Sequence, residues 1–490
     1  MPLLLNDVHS RLNATQVAAI ATPQNVAQLQ AALQQARGAG MKVSVAGGRH
    51  AMGGQQFGQG GLHIDTSQLC AMLGSDSERG LLHIQGGADW PCIMEASHAV
   101  PAPRSLNPAG PVHPGWAIRQ KQTGVDTVSL GGSIAANAHG RGLRMQPLAH
   151  DIEDLTLVDA AGRIQRCSRT QNAELFSLVL GGYGMFGVVV SATLRLSRRQ
   201  KLQRWVDVLD VRDALSAVER RVQSGAVYGD FQFVIDPLDP GFLQRGVLAC
   251  YLPVADDTPV CDSGADLSGD AWLKLLKLAH EDKGSAFKLY AQHYLGTHGR
   301  VYWADTMQLS TYIPSYADYL AQQRDPTSPT PASTPAPTPT PESLVIGEHY
   351  VPRTQLVAFL EQAARALRTL GAEVIYGTIR AIERDTTTFL PWASDDFACV
   401  IFNLRTPHTA AGRERTSNAF RALVNLSNNL GGSFFLTYHR YATPDQVERC
   451  YPRIRQWLAL KKLHDPAELF CSDWYQHYRD AFAATGSGTL

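Results

Sequence analysis

Seventeen of the 42 glycines in this chain stand in three short segments, residues 38–61, 131–142 and 181–187. Inside a helix glycine costs about 1 kcal/mol relative to alanine, so such density is unsuited to regular elements. Glycine is favoured where the backbone turns with positive φ or approaches another group closely. A fold built on these segments must use bare backbone as a wall in several places.

The 490 residues suffice for two or three domains, each with its own core. Lys and Arg number 44, as do Asp and Glu, which excludes an extended basic nucleic-acid footprint or a polybasic membrane surface. At 44% hydrophobic and 18% charged, the bulk of the chain reads as globular. Eight cysteines without a CxxC pair are expected as buried thiols of a reducing compartment. The start, MPLLLNDVHSRLN, has no basic n-region, and the most apolar stretch, Phe176–Val190, is 15 residues long with four glycines. A cytoplasmic chain with no transmembrane segment is expected.

Helical spacing over 24–37, stopped by Gly38-Ala-Gly40, leads into strands at 42–46 and 62–65. Strands at 81–85, 154–159, 163–167 and 188–196, with helices at 90–98 and 173–180, continue an α+β pattern. Beyond residue 200, strands at 203–209, 228–235, 246–252, 345–351, 372–380 and 397–403 alternate with helices at 211–222, 271–283, 354–369 and 411–429. This predicts a first domain over 1–200, a second over 201–430, and a helical, Tyr- and Trp-rich segment over 431–490 that closes on the first. Residues 326–341 hold seven Pro and five Thr, and are expected as an extended, mobile surface insertion.

The first glycine cluster, VAGGRHAMGGQQFGQGG (45–61), follows a strand, and its backbone N–H groups can turn toward one anion. An ordinary glycine-rich hairpin is the competing reading. The second, TVSLGGSIAANAHGRG (127–142), surrounds Asn137 and His139 with small residues, as would tight helix packing. The third, Gly182-Tyr-Gly184-Met-Phe-Gly187, has GxGxxG spacing, but a helical segment precedes it and a strand follows. A dinucleotide fingerprint requires the reverse order, so a Rossmann site is excluded.

Together, in this order, the three segments resemble the FAD-binding domain of the vanillyl-alcohol-oxidase/p-cresol-methylhydroxylase (PCMH) superfamily, the FAD-linked oxidases. The resemblance is strong over about 15–200 and looser beyond. It implies an α+β, two-domain PCMH-type flavoprotein, with an FAD domain and a substrate (cap) domain of mainly antiparallel sheet. It places Ala46, Gly47, Gly48, Arg49, His50, Ala51 and Gln55 on the first FAD-binding segment. Gly131, Gly132, Ser133, Ala136, Asn137, His139, Gly140 and Gly142 fall on the second, and Gly184, Gly187, Val188 and Val189 on the third. Members with covalently held flavin, such as cytokinin dehydrogenases, carry G-H-S-x-x-G-Q. Here His50-Ala-Met-Gly-Gly-Gln55 keeps the His, Gly and Gln, with Arg49 and Ala51 at the departures. An 8α-histidyl bond through His50 is implied, with FAD held only noncovalently as the alternative. Val125 stands where bicovalent members have a cysteine, so a second bond is not expected.

In the second half, Tyr376-Gly-Thr-Ile-Arg380 resembles the E-I-R element of sugar- and lactone-oxidising relatives, with Thr378 in place of Glu. His439-Arg-Tyr-Ala442 resembles their H-W-x-K, without the lysine. The tail resembles the terminal part of sugar-oxidising members, including decaprenylphosphoryl-ribose oxidases. The implied reaction is oxidation of a CH–OH group in a sugar-like, polyol or lactone substrate, with dioxygen or another acceptor reoxidising the flavin. Such chemistry needs a hydride acceptor, a proton acceptor and positive charge near a developing anion. His439 is expected as base and Arg380 as stabiliser, with Tyr438 and Thr378 beside them. A core histidine, and a salt bridge from Arg380 to Glu383 or Asp385, are the structural alternatives. A C=C reductase using an external reductant, or a flavin-free binding protein on this scaffold, remain as alternative functions. No histidine pair has metal-ligand spacing, and no metal is expected.

Overall fold

The computed structural model describes residues 3–103, 113–260, 267–308 and 340–486. The Pro/Thr run 326–341 lies, but for its last two residues, outside them.

The first half carries three sheets, of which the smallest pairs Leu3–Leu5 with Thr15–Val17. A small parallel sheet orders Ala19–Ala21, Leu62–Asp65 and Val43–Ala46. Helix Val26–Gly38 buries Leu29, Leu33 and Ala36 in the core that this sheet shares, and Asn25 caps it by accepting from Gln28 N. An antiparallel sheet runs Ile164–Ser168, Ile152–Val158, Val188–Arg198, Leu81–Gln85, Met72–Asp76, with Trp116–Ile118 also on Val188–Arg198. The chain's end returns to this half. Val43 N donates to Leu469 O at 2.7 Å, and Cys471 N to Val43 O at 2.9 Å. Trp474, fully buried, donates its indole N–H to Leu436 O.

The second half is one eight-stranded antiparallel sheet ordered Val301–Trp303, Lys201–Asp210, Arg245–Pro253, Tyr228–Phe233, Val374–Ile382, Phe397–Pro407, Glu342–Pro352, Ser433–Phe434. Helices cover one face. Leu356–Leu370 buries Leu356, Phe359, Leu360, Ala363, Ala364 and Leu367, the 3.6-residue stripe that docks a helix on a sheet. Strand alternation then sorts the side chains. Phe231, Phe233, Ile375, Ile379, Val400 and Phe402 face the helices in one core. Asp230, Gln232, Tyr376, Thr378, Arg380, Ile401, Asn403, Ile346 and Glu348 face the opposite way, into a cavity shared with the first half.

The strands expected from periodicity are present within a few residues, but helix Lys283–Leu295 and strands Met72–Asp76 and Trp116–Ile118 were not anticipated. Cys167, Cys250, Cys399, Cys450 and Cys471 are buried thiols, whereas Cys70 is exposed. No helix among the described residues is long and apolar enough to cross a membrane.

Candidate active site

One cavity of about 680 Å³ runs from the glycine segments to the polar face of the eight-stranded sheet. Its first wall is the loop after strand Val43–Ala46. That loop lies so close to 127–129 that a Cβ on Gly47 would stand 2.0 Å from Ser129 Oγ, and one on Gly48 2.3 Å from Thr127 O. Among the described residues the N–H groups of Gly48, Arg49 and Ala51 donate to no protein acceptor. Arg49 holds φ = 56°, the left-handed region that glycine prefers, at the position where the covalent-flavin loop has glycine. His50 Nδ1 lies 3.0 Å from His9 Nε2, and His50 Nε2 2.9 Å from Thr127 Oγ1. Burial, and then His9, push His50 down to about 3, so its imidazole is neutral.

The second wall is helix Leu130–Ala136 and the turn after it. Ser129 caps the helix by accepting from Gly132 N, and Asn137 ends it with φ = 51°. The following residues cross to the other half: Gly229 N donates to Arg141 O, and Leu143 N to Val227 O, both at 2.9 Å. The third wall comes from Tyr183, Gly184, Gly187, Val188 and Val189, with helix Ala173–Val179 before it and strand Val188–Arg198 after. Gly184 (φ = 76°) has no atom within 4 Å of a built Cβ, so this side is open to a flat ligand.

The sheet side is polar. Glu348, buried beneath the cavity, accepts from His139 Nε2 at 2.9 Å, from Tyr350 OH at 2.9 Å and from Tyr438 OH. His139 Nδ1 faces Gly140 O at 3.0 Å, so both ring nitrogens are placed to donate. Burial alone would raise the Glu348 carboxyl; His139, Tyr438 and Arg380 outweigh it and hold the group at about 2. Burial and the Glu348 charge in turn raise the Tyr438 hydroxyl well above its ordinary value. Arg380 forms neither of the anticipated salt bridges: Glu383 pairs with Arg353 at 2.9 Å, and Asp385 accepts from Asn137 and Thr388. Its Nε, and Thr378 Oγ1, are buried without a hydrogen-bond partner.

The cavity brings together Ala46, Gly47, Gly48, Arg49, His50, Ala51, Gln55, Gly131, Gly132, Ala136, His139, Gly184, Gly187, Val188, Val189, Thr378, Arg380 and Tyr438. The remaining expected residues lie off its lining. Ser133 Oγ accepts from Trp90 Nε1, and Asn137 bridges Asp385 Oδ2 and Ala149 N, so both support the wall from behind. Gly140 packs on Lys121 O, and Gly142 on Met145. His439 is 6% exposed and stacks on Tyr441 with ring centroids 5.1 Å apart; burial pushes it down to about 4. It is not among the residues that line the cavity, and its buried Nε2 has no hydrogen-bond partner.

Sequence reasoning missed Glu348, Asp230, Arg141, Arg204 and His9. Arg141 shares the HGRG turn with His139, but nothing in the spacing says that the turn reaches the second half. His139, Glu348 and Cys399 also offer ligand-type atoms within 4.8 Å of one another. The hydrogen bonds on His139 and Glu348 account for that closeness.

The architecture is α+β and two-domain, that of a PCMH-type flavoprotein. Residues 17–103 match the family model of an FAD binding domain. An uncharacterised oxidoreductase of the fasciation locus of Rhodococcoides fascians is 31% identical over 190 residues, 38% of this chain and 40% of that protein. Cytokinin dehydrogenase 2 of Oryza sativa subsp. japonica is 27% identical over 235 residues, 44% of this chain and 39% of the relative. Cytokinin dehydrogenase 2 of Arabidopsis thaliana is 25% identical over 225 residues, 45% of this chain and 41% of the relative. The matched stretches thus span about two-fifths of these relatives. FAD is the cofactor, and the site fits it: the volume, the backbone donors of the 48–51 turn and the open Gly184 wall suit an anionic, flat ligand.

Proposed function

We propose that the chain is an FAD-dependent oxidoreductase that removes a hydride from a carbon bearing a hydroxyl group. The observation that carries this reading is the continuity of the cavity, with glycine backbone at one end and unpartnered Arg380, Thr378 and Asp230 atoms on the sheet at the other. FAD, when bound, supplies the acceptor for the hydride and its electron pair. The protein must then take the hydroxyl proton.

Asp230 fits that task better than His439. It lines the cavity, is 6% exposed, and its Oδ1 has no hydrogen-bond partner, with Arg141 Nη1 3.9 Å away, while Oδ2 accepts from Gln232 at 2.7 Å. Both Glu348 oxygens, by contrast, are already engaged by donors. Phe231 pairs with Ile379 across the sheet, which sets Asp230 and Arg380 side by side. Arg380, always charged, stabilises negative charge on the substrate oxygen as the proton leaves. The His139–Glu348–Tyr438 network fixes the pocket beside it.

His50 is the residue for covalent attachment: it lines the FAD wall and is held as the neutral, nucleophilic imidazole. Acid precipitation of the purified protein is expected to carry the yellow colour into the pellet; colour left in solution contradicts the bond. The function itself is tested by anaerobic mixing with hydroxylated compounds, with a cytokinin as the second arm because of the relatives' names. Bleaching of the visible flavin band by a hydroxylated compound supports the reading. Bleaching by the cytokinin alone, or only by a nicotinamide reductant, overturns it.

A further inference from the structure

Of the seven described cysteines five are buried, and the two that reach the surface, exposed Cys70 and half-buried Cys92, stand together. Cys92 Sγ lies 3.8 Å from the carbonyl oxygen of Cys70. Both residues are held on one hydrogen-bonded frame, although they are 22 residues apart in the chain. On either side of Cys70, Leu69 O accepts from Gly87 N at 2.7 Å and Ala71 O from Gln85 N at 3.0 Å. Just beyond that segment, Asp89 caps helix Trp90–His98 by accepting from Cys92 N at 3.0 Å.

The thiols also feel each other. Burial, then Asp89 and Cys70, push the Cys92 thiol above its ordinary value, so it is held as S–H. Packing explains one of the two residues only. Cys92 rests against the large core of the first half, where a small apolar side chain is suited, but Cys70 is open to solvent. A disulfide requires Cβ vectors that face each other. Cys92 already turns its sulfur toward residue 70, and the exposed Cys70 side chain has room to rotate to meet it.

We infer that Cys70 and Cys92 form a disulfide site that a hydroperoxide closes and a dithiol reductant reopens. Cys70, the accessible thiol, reacts first: its sulfur bonds to one peroxide oxygen, the O–O bond breaks, and the other oxygen leaves as water with the thiol proton. Cys92 then attacks the Cys70 sulfur, the S–O bond breaks, and hydroxide leaves as water with the Cys92 proton. Two thiols lose two electrons in all, and hydrogen peroxide gains them to become two waters. Neither residue lines the cavity, so the site is independent of the substrate and of the hydride step.

The bridge would clasp the supports of two glycine walls. On the Cys70 side, Thr66 N and Oγ1 both donate to Ala46 O, at 2.9 and 3.0 Å. On the Cys92 side, Gly86 O and Ala88 O accept from Gly131 N and Leu130 N, at 2.7 and 2.8 Å. A closed bridge restricts the unfolded chain, and the oxidised protein is therefore the more heat-resistant form.

The test is hydrogen peroxide treatment of the purified, flavin-loaded protein, followed by alkylation, unfolding and peptide mapping by mass spectrometry. The expected product is a peptide pair linked through Cys70 and Cys92 that disappears with dithiothreitol. The thermal midpoint of the oxidised protein is expected about 2–6 °C above that of the reduced protein. In Cys70→Ser, an exposed substitution, Cys92 is expected to remain a free thiol and the shift to vanish. Alkylation of both thiols after peroxide treatment would overturn the site. So would separate sulfinic or sulfonic acids at the two residues, or a Cys70–Cys70 link between two molecules. A linked pair with an unchanged midpoint would overturn the clasp. If Cys70→Ser does not fold, the peptide map of the unaltered protein decides alone.

Discussion

At the residue scale, the glycine loop makes opposite demands at adjacent positions. Gly48 has no room for a side chain, because the Thr127 carbonyl oxygen lies 2.3 Å from where its Cβ would be. Gly48→Ala must push the 45–51 turn off its neighbour, at a cost of about 1–3 kcal/mol. The expected result is a protein that is purified with little flavin, because the displaced turn neither cradles it nor holds His50 in place for attachment, and full flavin absorbance would contradict the wall assignment. Arg49, next along, is strained rather than crowded. Its φ of 56° costs a non-glycine residue about 1 kcal/mol. Arg49→Gly is therefore expected to raise the thermal midpoint of the protein, even though a cation is removed from the cavity lining. The sequence shows both positions but not their difference, since the left-handed conformation of residue 49 is a property of the folded turn. The same limit applies to His439: a histidine in a stretch that resembles H-W-x-K reads as a base, and only packing shows its ring stacked on Tyr441.

At the scale of elements, helices and strands with strong periodicity were legible, because one buried face per element writes itself into the sequence. Leu356–Leu370 and the alternating strands Tyr228–Phe233 and Val374–Ile382 are examples. Helix Lys283–Leu295 was not legible: it fully buries only Ala286 and Tyr290, with Phe287, Ala291 and Tyr294 partly buried beside them, and its exposed Leu289 and Leu295 blur the stripe. Of the polar half of the site, Arg380, Thr378 and Tyr438 were anticipated, whereas Asp230 and Glu348 were hidden. Asp230 and Arg380 become neighbours through strand pairing across some 150 residues of chain, and no local spacing encodes that. The return of the C-terminus is also a pairing between distant elements, with strand Val43–Ala46 bonded to Leu469 and Cys471. Removing residues 466–486 takes away those bonds together with buried Phe470, Trp474 and Tyr478. Loss of Trp474 alone should cost about 3–5 kcal/mol. The truncated chain is expected to be insoluble or free of flavin, and a soluble yellow product would contradict the role given to the tail.

For the whole molecule, the folded state keeps several histidines neutral. Burial lowers His9, His63 and His439 to about 4, and lowers His50, with help from His9, and His349 to about 3. The unfolded chain binds these protons near pH ~6.5. Below that value it holds more protons than the folded protein, so stability falls as the pH drops toward the folded-state values. Glu348 adds to the loss at lower pH, because its carboxylate, held at about 2 when folded, is protonated in the unfolded chain near pH ~4.3. His349 isolates the effect. It sits on the helix side of the sheet with both ring nitrogens unpartnered, near Phe359, Phe402 and Phe420. His349→Leu should reduce the slope of stability against pH between ~6.5 and ~4 by about 1.4 kcal/mol per unit, with stability at neutral pH unchanged or higher. An unaltered acid-unfolding curve would show that His349 is not held neutral.

In the proposed reaction, FAD bound along the glycine walls meets a substrate hydroxyl at the Asp230–Arg380 face of the sheet. Stopped-flow reduction of the flavin under anaerobic conditions, in the unaltered protein and in Asp230→Asn, tests it most directly. With a substrate that bleaches the unaltered protein, the variant should keep its full flavin absorbance while its bleaching rate falls about 10²- to 10⁴-fold, as expected on losing a proton acceptor. Bleaching of Asp230→Asn at the unaltered rate would place the chemistry elsewhere in the cavity and rule out Asp230 as the proton acceptor.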